Sequence, residues 1–236
     1  MKTPKNEGAI STSAQALQRN LERLKGLRGR SSLRPARLAD LKGWQSRRLR
    51  KSYADVAAQP RYRAATSFFI DDLYGPKDFS GRDQAMLKIF PLMTRLLPAS
   101  AVETAALAIE LEALSEDLDQ RAAAALPDGP ITESSYGRAY RDSSTPEERM
   151  RQIALIEAVG KRLDALVKKP LLGSTLALMR QPAKVAGLGD LQDFLERGFE
   201  SFREMNGADD FLALIRERES AILRRLFSGE AEPFSA

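Results

Sequence analysis

The 236-residue chain contains no histidine and no cysteine. Without imidazole there is no Ser-His-Asp or Cys-His nucleophile system, no haem on a proximal histidine and no His-containing zinc site. Without thiols there are no disulfides, no thiolate chemistry, no iron–sulfur clusters and no Cys-ligated zinc. Long apolar runs are also missing, so no transmembrane helix is expected. The polar start, Met1 to Ser13, lacks the apolar stretch of a secretory signal, and the cytoplasm is the expected compartment. No alternating run of four or more β-branched or aromatic residues occurs, so strand content should be near zero. The Asp, Glu, Lys, Tyr and Ser that remain form no complete catalytic motif. The expectation is a non-enzymatic protein with no cofactor and no metal; an enzyme working through these residues alone, with a carboxylate or Lys buried in a cleft, is the alternative.

What is present is helical periodicity. Ala14, Leu17, Leu21 and Leu24 step 3, 4, 3; Leu107, Leu111, Leu114 and Leu118 step 4, 3, 4. Ile153, Ile156, Gly160, Leu163 and Val167 repeat the pattern, as do Leu191, Leu195, Gly198, Phe202 and Met205. Each set puts an apolar stripe on one helical face. The predicted class is all-α, a bundle of about nine or ten helices with essentially no β-sheet. They are expected near 12–27, 34–57, 61–74, 81–97, 100–126, 132–142, 146–168, 171–180, 189–205 and 208–228. Pro91 should kink or split the fourth. Ser100-Ala-Val-Glu103 has the form of a capping box, and Thr145-Pro146-Glu147-Glu148 starts a helix with proline where its missing N–H costs nothing. Residues 10–228 are read as one domain, with a basic helical segment at 10–60 and a hinge candidate at 127–145. Flexible ends are expected at 1–9 and 229–236.

Charge is divided unevenly. Residues 1–66 hold 16 Lys/Arg against 4 Asp/Glu, a net of +12, while the rest hold 21 against 28, a net of −7. Between Arg19 and Lys51 stand 12 Lys/Arg opposed only by Glu22 and Asp40. Arg47, Arg48, Arg50 and Lys51 cluster most tightly, beside Trp44 and Tyr53. They are the candidate surface for an anionic partner or nucleic acid. The competing reading is a solvated face, or pairing with the acidic body of the same chain.

The least ordinary stretch is Ser67 to Asp83. Phe69 and Leu73 share a helical face, Asp71 and Asp72 point elsewhere, and Gly75-Pro76 ends the helix. Residues Phe68-Phe69-Ile70-Asp71-Asp72-Leu73-Tyr74, followed by Gly75, Pro76, Lys77, Asp78 and Phe79, resemble a bacterial family known by its FFLEELY motif. Ile stands for Leu and two Asp for Glu. The resemblance extends to Leu97-Pro98 and the acidic helix after it, and implies kinship without an activity. Asp71-Asp72 also invites a metal reading, but Gly75 and Pro76 stand where a third aspartate would be needed. Adjacent carboxylates on a helix diverge by about 100° and do not share one ion unaided. The pair is better read as a polar helix corner balanced by Arg82 and Lys77.

The helix at 100–126 places Glu112, Glu116 and Asp119 on one face. A solvated face is the expectation, and a dock for a basic partner, the chain's own N-terminus included, is the alternative. Gly173-Ser174-Thr175 lacks the Gly-Lys pair of a phosphate loop, and Gly187-Leu188-Gly189 reads as a helix stop with Asp190 as the next cap. Phe194, Phe199, Phe202, Phe211 and Phe227 read as core before they read as an apolar ligand pocket. The function expected from these residues is a helical interaction or regulatory protein with a protein partner. A ligand-binding module and a nucleic-acid-associated protein, the latter through residues 19–51, are the alternatives.

Overall fold

A computed structural model describes residues 4–29, 35–73 and 99–235, with side chains from residue 12 onward except that of Leu73. Among these residues there are ten α-helices and no strand. In chain order they are α1 (Pro4–Gly29), α2 (Pro35–Ser52), α3 (Ala54–Ala58), α4 (Pro60–Phe68), α5 (Ala99–Ala125), α6 (Glu133–Ser143), α7 (Pro146–Val167), α8 (Leu172–Val185), α9 (Gly189–Met205) and α10 (Asp209–Ser228). A π-helical turn, Phe69–Leu73, continues α4. The helix expected near 81–97, and Pro91 with it, lies outside the described residues.

The architecture is organised around α5, which packs against α1, α2, α6 and α7. Small residues let α1 come close: Leu17, Leu21 and Leu24 fit against Val102, Ala106, Ile109 and Ala113. Burying three leucines is worth roughly 1.5–3 kcal/mol each. On another side α7 runs antiparallel to α5, along a polar ladder from Arg121–Glu148 (2.8 Å) through Gln152–Ser115 (2.8 Å) and Arg151–Glu110 (2.6 Å) to Arg162–Glu103.

The other two clusters share α10. Its first half gives Phe211, Leu212 and Ile215 to a core with Tyr53, Val56, Ile70, Phe202 and Met205. Its second half gives Ile222 and Leu226 to a core with Leu41, Ala122, Leu126, Tyr136 and Tyr140. Gly160 of α7 marks the closest crossing. A Cβ there would stand 2.4 Å from Leu212 Cδ2, so α7 and α10 touch through the missing side chain.

Several boundaries differ from expectation for definite reasons. The capping box at Thr145 forms, with Glu148 N–H donating to Thr145 Oγ1 and Thr145 N–H donating to Glu148 Oε2. That at Ser100 does not, because α5 is already under way at Ala99. Glu103 pairs with Arg162 instead, and Ser100 Oγ accepts from Lys169 Nζ at 2.6 Å. The helix expected at 34–57 breaks at Tyr53 into α2 and α3. α8 runs through Pro182 to Val185 rather than stopping at 180, since the carbonyl that Pro182 leaves without a donor is that of Leu178 on the outer side. Asp190 lies in the first turn of α9, and Leu188 holds the N-cap position without a side-chain bond. α1 begins at Pro4. At the far end Pro233 is enclosed and Phe234 packs edge-on to Trp44, which itself stacks on Tyr136 at 4.4 Å. Stretch 127–145 carries α6, whose Tyr136 and Tyr140 are buried.

Candidate interaction surfaces

The basic segment carries the strongest charge signal in the sequence. A helix turns successive residues by 100°, so four cations in five positions cannot share a face. Arg48 points inward, where it meets Glu219 at 2.8 Å and lies 5.2 Å from the Phe234 ring centre. Glu219 also accepts from the Tyr53 hydroxyl at 2.9 Å. Burial acts to lower the Arg48 pKa, but the Glu219 carboxylate more than reverses this and holds it above the usual arginine value. Burial and the same carboxylate push Tyr53 up. Arg50 turns sideways to Asp71 (2.6 Å). Arg47 and Lys51, four residues apart, remain on the outer face of α2 with no ion pair among the described residues.

The same division holds along the whole stretch. Arg28 pairs with Glu112 at 2.7 Å and approaches Glu116 at 3.8 Å; Lys42 pairs with Glu116 at 2.7 Å. Gln45 donates to Asp119 at 2.9 Å, and Arg37 donates to the Pro127 carbonyl. The face of α5 holding Glu112, Glu116 and Asp119, expected to be solvated, is therefore covered by α1 and α2. Glu116 is only 5% exposed. Burial would raise its pKa, but Lys42, Gln120 and Arg28 bring it below the usual carboxylate range. Asp119 makes no ion pair among the described residues, and burial pushes it up against the opposing pull of Lys42, Gln45 and Arg149. Just beyond, Arg218 grips Asp55 at 2.8 and 2.9 Å and also donates to the Ser52 carbonyl, holding the Asp55 carboxyl at about 2.

The motif segment is a packing joint. Phe68 is buried against Phe194, with ring centres 5.3 Å apart, and its ring edge occupies the space left by Gly198, where a Cβ would stand 2.8 Å away. Phe69 and Ile70 enter the first core. The π turn then lets adjacent acids reach opposite neighbours. Asp71 takes Arg50 from α2, and Asp72 takes Arg197 from α9 at 2.9 and 3.2 Å. Among the described residues the cations that balance these acids are Arg50 and Arg197. Arg82, Lys77, Tyr74, Gly75, Pro76 and Asp78 lie outside the described residues, as does the side chain of Leu73. Among the described residues no three Asp or Glu gather as a metal would require, and no helix is long and apolar enough to cross a membrane.

The aromatic set of the C-terminal helices goes into packing. Phe202 and Phe211 lie in the first core, Phe227 meets Tyr140 edge-on, and Phe199 sits over Gly173. Arg61 of α4 donates to the Met205 and Gly207 carbonyls and so closes the end of α9, where Asn206 and Gly207 have positive φ.

What the periodicity did not single out is the outer face of the α8–α9 hairpin. The two helices are joined by Gln192 donating to the Leu176 carbonyl (2.7 Å) and by Arg180–Glu196 (2.8 Å). Only Ala183 of α8 is buried. Among the described residues six large apolar side chains stand exposed, and five belong to α8, its N-cap or α9: Leu171 (76%), Leu178 (78%), Met179 (40%), Val185 (89%) and Leu195 (43%), the last at the edge of the stripe that α9 turns inward with Leu191, Gly198, Phe202 and Met205. Leu178 and Val185 lie seven residues apart on α8 and line up to within about 20°; Leu171, seven before Leu178, is the N-cap residue, with positive φ. From 165 to 189 the sequence has no Asp or Glu.

Residues 28–233 match the sequence profile of a domain of unknown function, DUF8198. The chain belongs to that family. The DUF8198 match takes in α2 to α10, including both partners of every ion pair described above from Arg28 onward, and leaves out Leu17, Leu21 and Leu24 of α1. Neither the curated proteins nor the solved structures yielded a match.

Proposed function

We propose that this chain is a cytoplasmic, non-enzymatic interaction protein, bacterial and of the FFLEELY type, whose docking surface is the outer face of the α8–α9 hairpin. The observation that carries the reading is the concentration of exposed large apolar side chains on that one hairpin. Contiguous apolar surface beyond a few hundred Å² marks interaction sites on most folded proteins. A surface kept for docking contributes little to the fold that bears it. The triple substitution Leu171→Ser, Leu178→Ser, Val185→Ser should therefore leave the unfolding free energy of the dilute protein within about 0.5 kcal/mol of the parent. A loss of several kcal/mol in urea unfolding would show that these side chains are needed by the fold and would overturn the reading.

A second reading is association with nucleic acid. It is favoured by Arg19, Arg23, Lys25, Arg47 and Lys51, none of which has a carboxylate partner among the described residues. Binding to duplex and single-stranded DNA across a salt series tests it. A steep salt slope that flattens in the Arg47→Ala, Lys51→Ala double variant supports it, and no binding at low salt removes it.

A further inference from the structure

Resting on this reading of the hairpin face, we infer that its occupant is a second copy of the chain, docked α8 against α8 in antiparallel about a twofold axis at Leu178. A twofold interface is built from one patch that must complement itself. The stripe meets that demand. Leu171 lies seven residues before Leu178 and Val185 seven after, so reversal about Leu178 lays apolar on apolar. Reversal likewise lays Thr175 against Gln181 and Ser174 against Pro182, uncharged on uncharged.

Charge supports the same occupant. Within α8 the charged residues are Arg180 and Lys184. Arg180 is turned onto Glu196 of its own α9, and Lys184 lies a third of a turn from the stripe, near that same carboxylate. No like charges meet across the axis, and the centre of the patch has the charge depletion typical of interface cores. A lipid surface would favour Lys and Arg on the shoulders of the stripe, where Ser, Thr and Gln stand.

Size sets the affinity. α8 is about 21 Å long at 1.5 Å per residue. Alone it falls short of the roughly 800 Å² per partner of a standard interface. Met179, the next residue along α8 and 40% exposed, widens the stripe on one side. The face remains small, and the dimer is a reversible one with micromolar affinity.

The chain's lack of cysteine makes the test clean. Sedimentation of the full chain from about 1 to 100 µM should show the mass doubling with concentration. A thiol placed by Leu178→Cys should be linked between copies by a short bismaleimide at least tenfold faster than one placed by Met150→Cys, an exposed position off the hairpin. Leu178→Glu and Leu178→Lys should each be monomeric, and their mixture should form a dimer, because on the axis residue 178 faces itself. A monomer across the whole range, or equal linking rates at 178 and 150, overturns the dimer. If the triple serine variant is then as stable as its parent, the docking reading stands with another occupant. Flotation of the monomer with phosphatidylserine vesicles, lost in Leu178→Glu, would assign the face to a lipid surface instead.

Discussion

The α1–α2 segment and the α8–α9 hairpin exchange the roles that their residues suggest. The basic segment has the makings of a binding surface because it is crowded with cations. Yet Arg28, Lys42, Arg48 and Arg50 are engaged by Glu112, Glu116, Glu219 and Asp71, so much of the charge clasps the segment onto its own body. The hairpin has the makings of core because it is rich in Leu, Met and Val. Yet it leaves Leu171, Leu178 and Val185 facing outward. Local charge density shows that cations need partners and says nothing of whose they are. Local hydrophobicity likewise does not say which chain supplies the cover.

Removing the acids that hold the clasp is the hardest blow to this contrast. Glu219→Ala strips the carboxylate from Arg48 and from the Tyr53 hydroxyl in a nearly enclosed site. Leaving a buried guanidinium unpaired costs on the order of 3–5 kcal/mol, which urea unfolding reads directly. An unchanged midpoint would mean that Arg48 is free to serve an outside partner. Leu17→Ala, at a fully buried position on the inner face of α1, should cost about 2–5 kcal/mol. Leu178→Ala, the same change on the hairpin, should stay within about 0.5 kcal/mol in dilute solution. Equal losses would erase the distinction between the two regions.

The pH dependence sharpens the picture. Glu116, Glu148, Glu157 and Glu196 are held below the usual carboxylate range, and Asp55 at about 2. Groups depressed in the folded state contribute stability above their unfolded pKa and lose it as pH falls through the folded one. Stability should therefore decline as the solution is taken from about pH 4.5 toward pH 2. Asp119 has the opposite sign. Burial raises its pKa, so its charged form opposes folding above that value. Asp119→Asn keeps an oxygen for Gln45 and should give a small gain at pH 7 that vanishes in acid. A loss at pH 7 would show that the charge itself is needed.

Much of the fold could be read from the residues, because a period of 3.6 and the Thr145-Pro146 start are local facts. The covered side of α5 could not. Glu112, Glu116 and Asp119 were visibly on one face, but water and a neighbouring arginine satisfy a carboxylate alike. The scattering of Arg47, Arg48, Arg50 and Lys51 was legible in principle from 100° per residue. The FFLEELY-like segment stood out, and its Asp71 and Asp72 proved to be tethers to Arg50 and Arg197, contacts fixed by helices other than its own. The outward stripe of α8 was overshadowed by the phenylalanines of α9 and α10. The signal that was there is the seven-residue repeat of Leu171, Leu178 and Val185 inside a window free of acids.

Native-state amide hydrogen exchange on dilute protein compares the two regions most directly. If α1 is clasped to α5 and α8 is an outward-facing helix, amides of Leu17 to Leu24 exchange only near the free energy of global unfolding. Those of Leu176 to Ala183 then exchange through far cheaper local openings. Exchange of the α1 amides as fast as those of α8 would contradict the account.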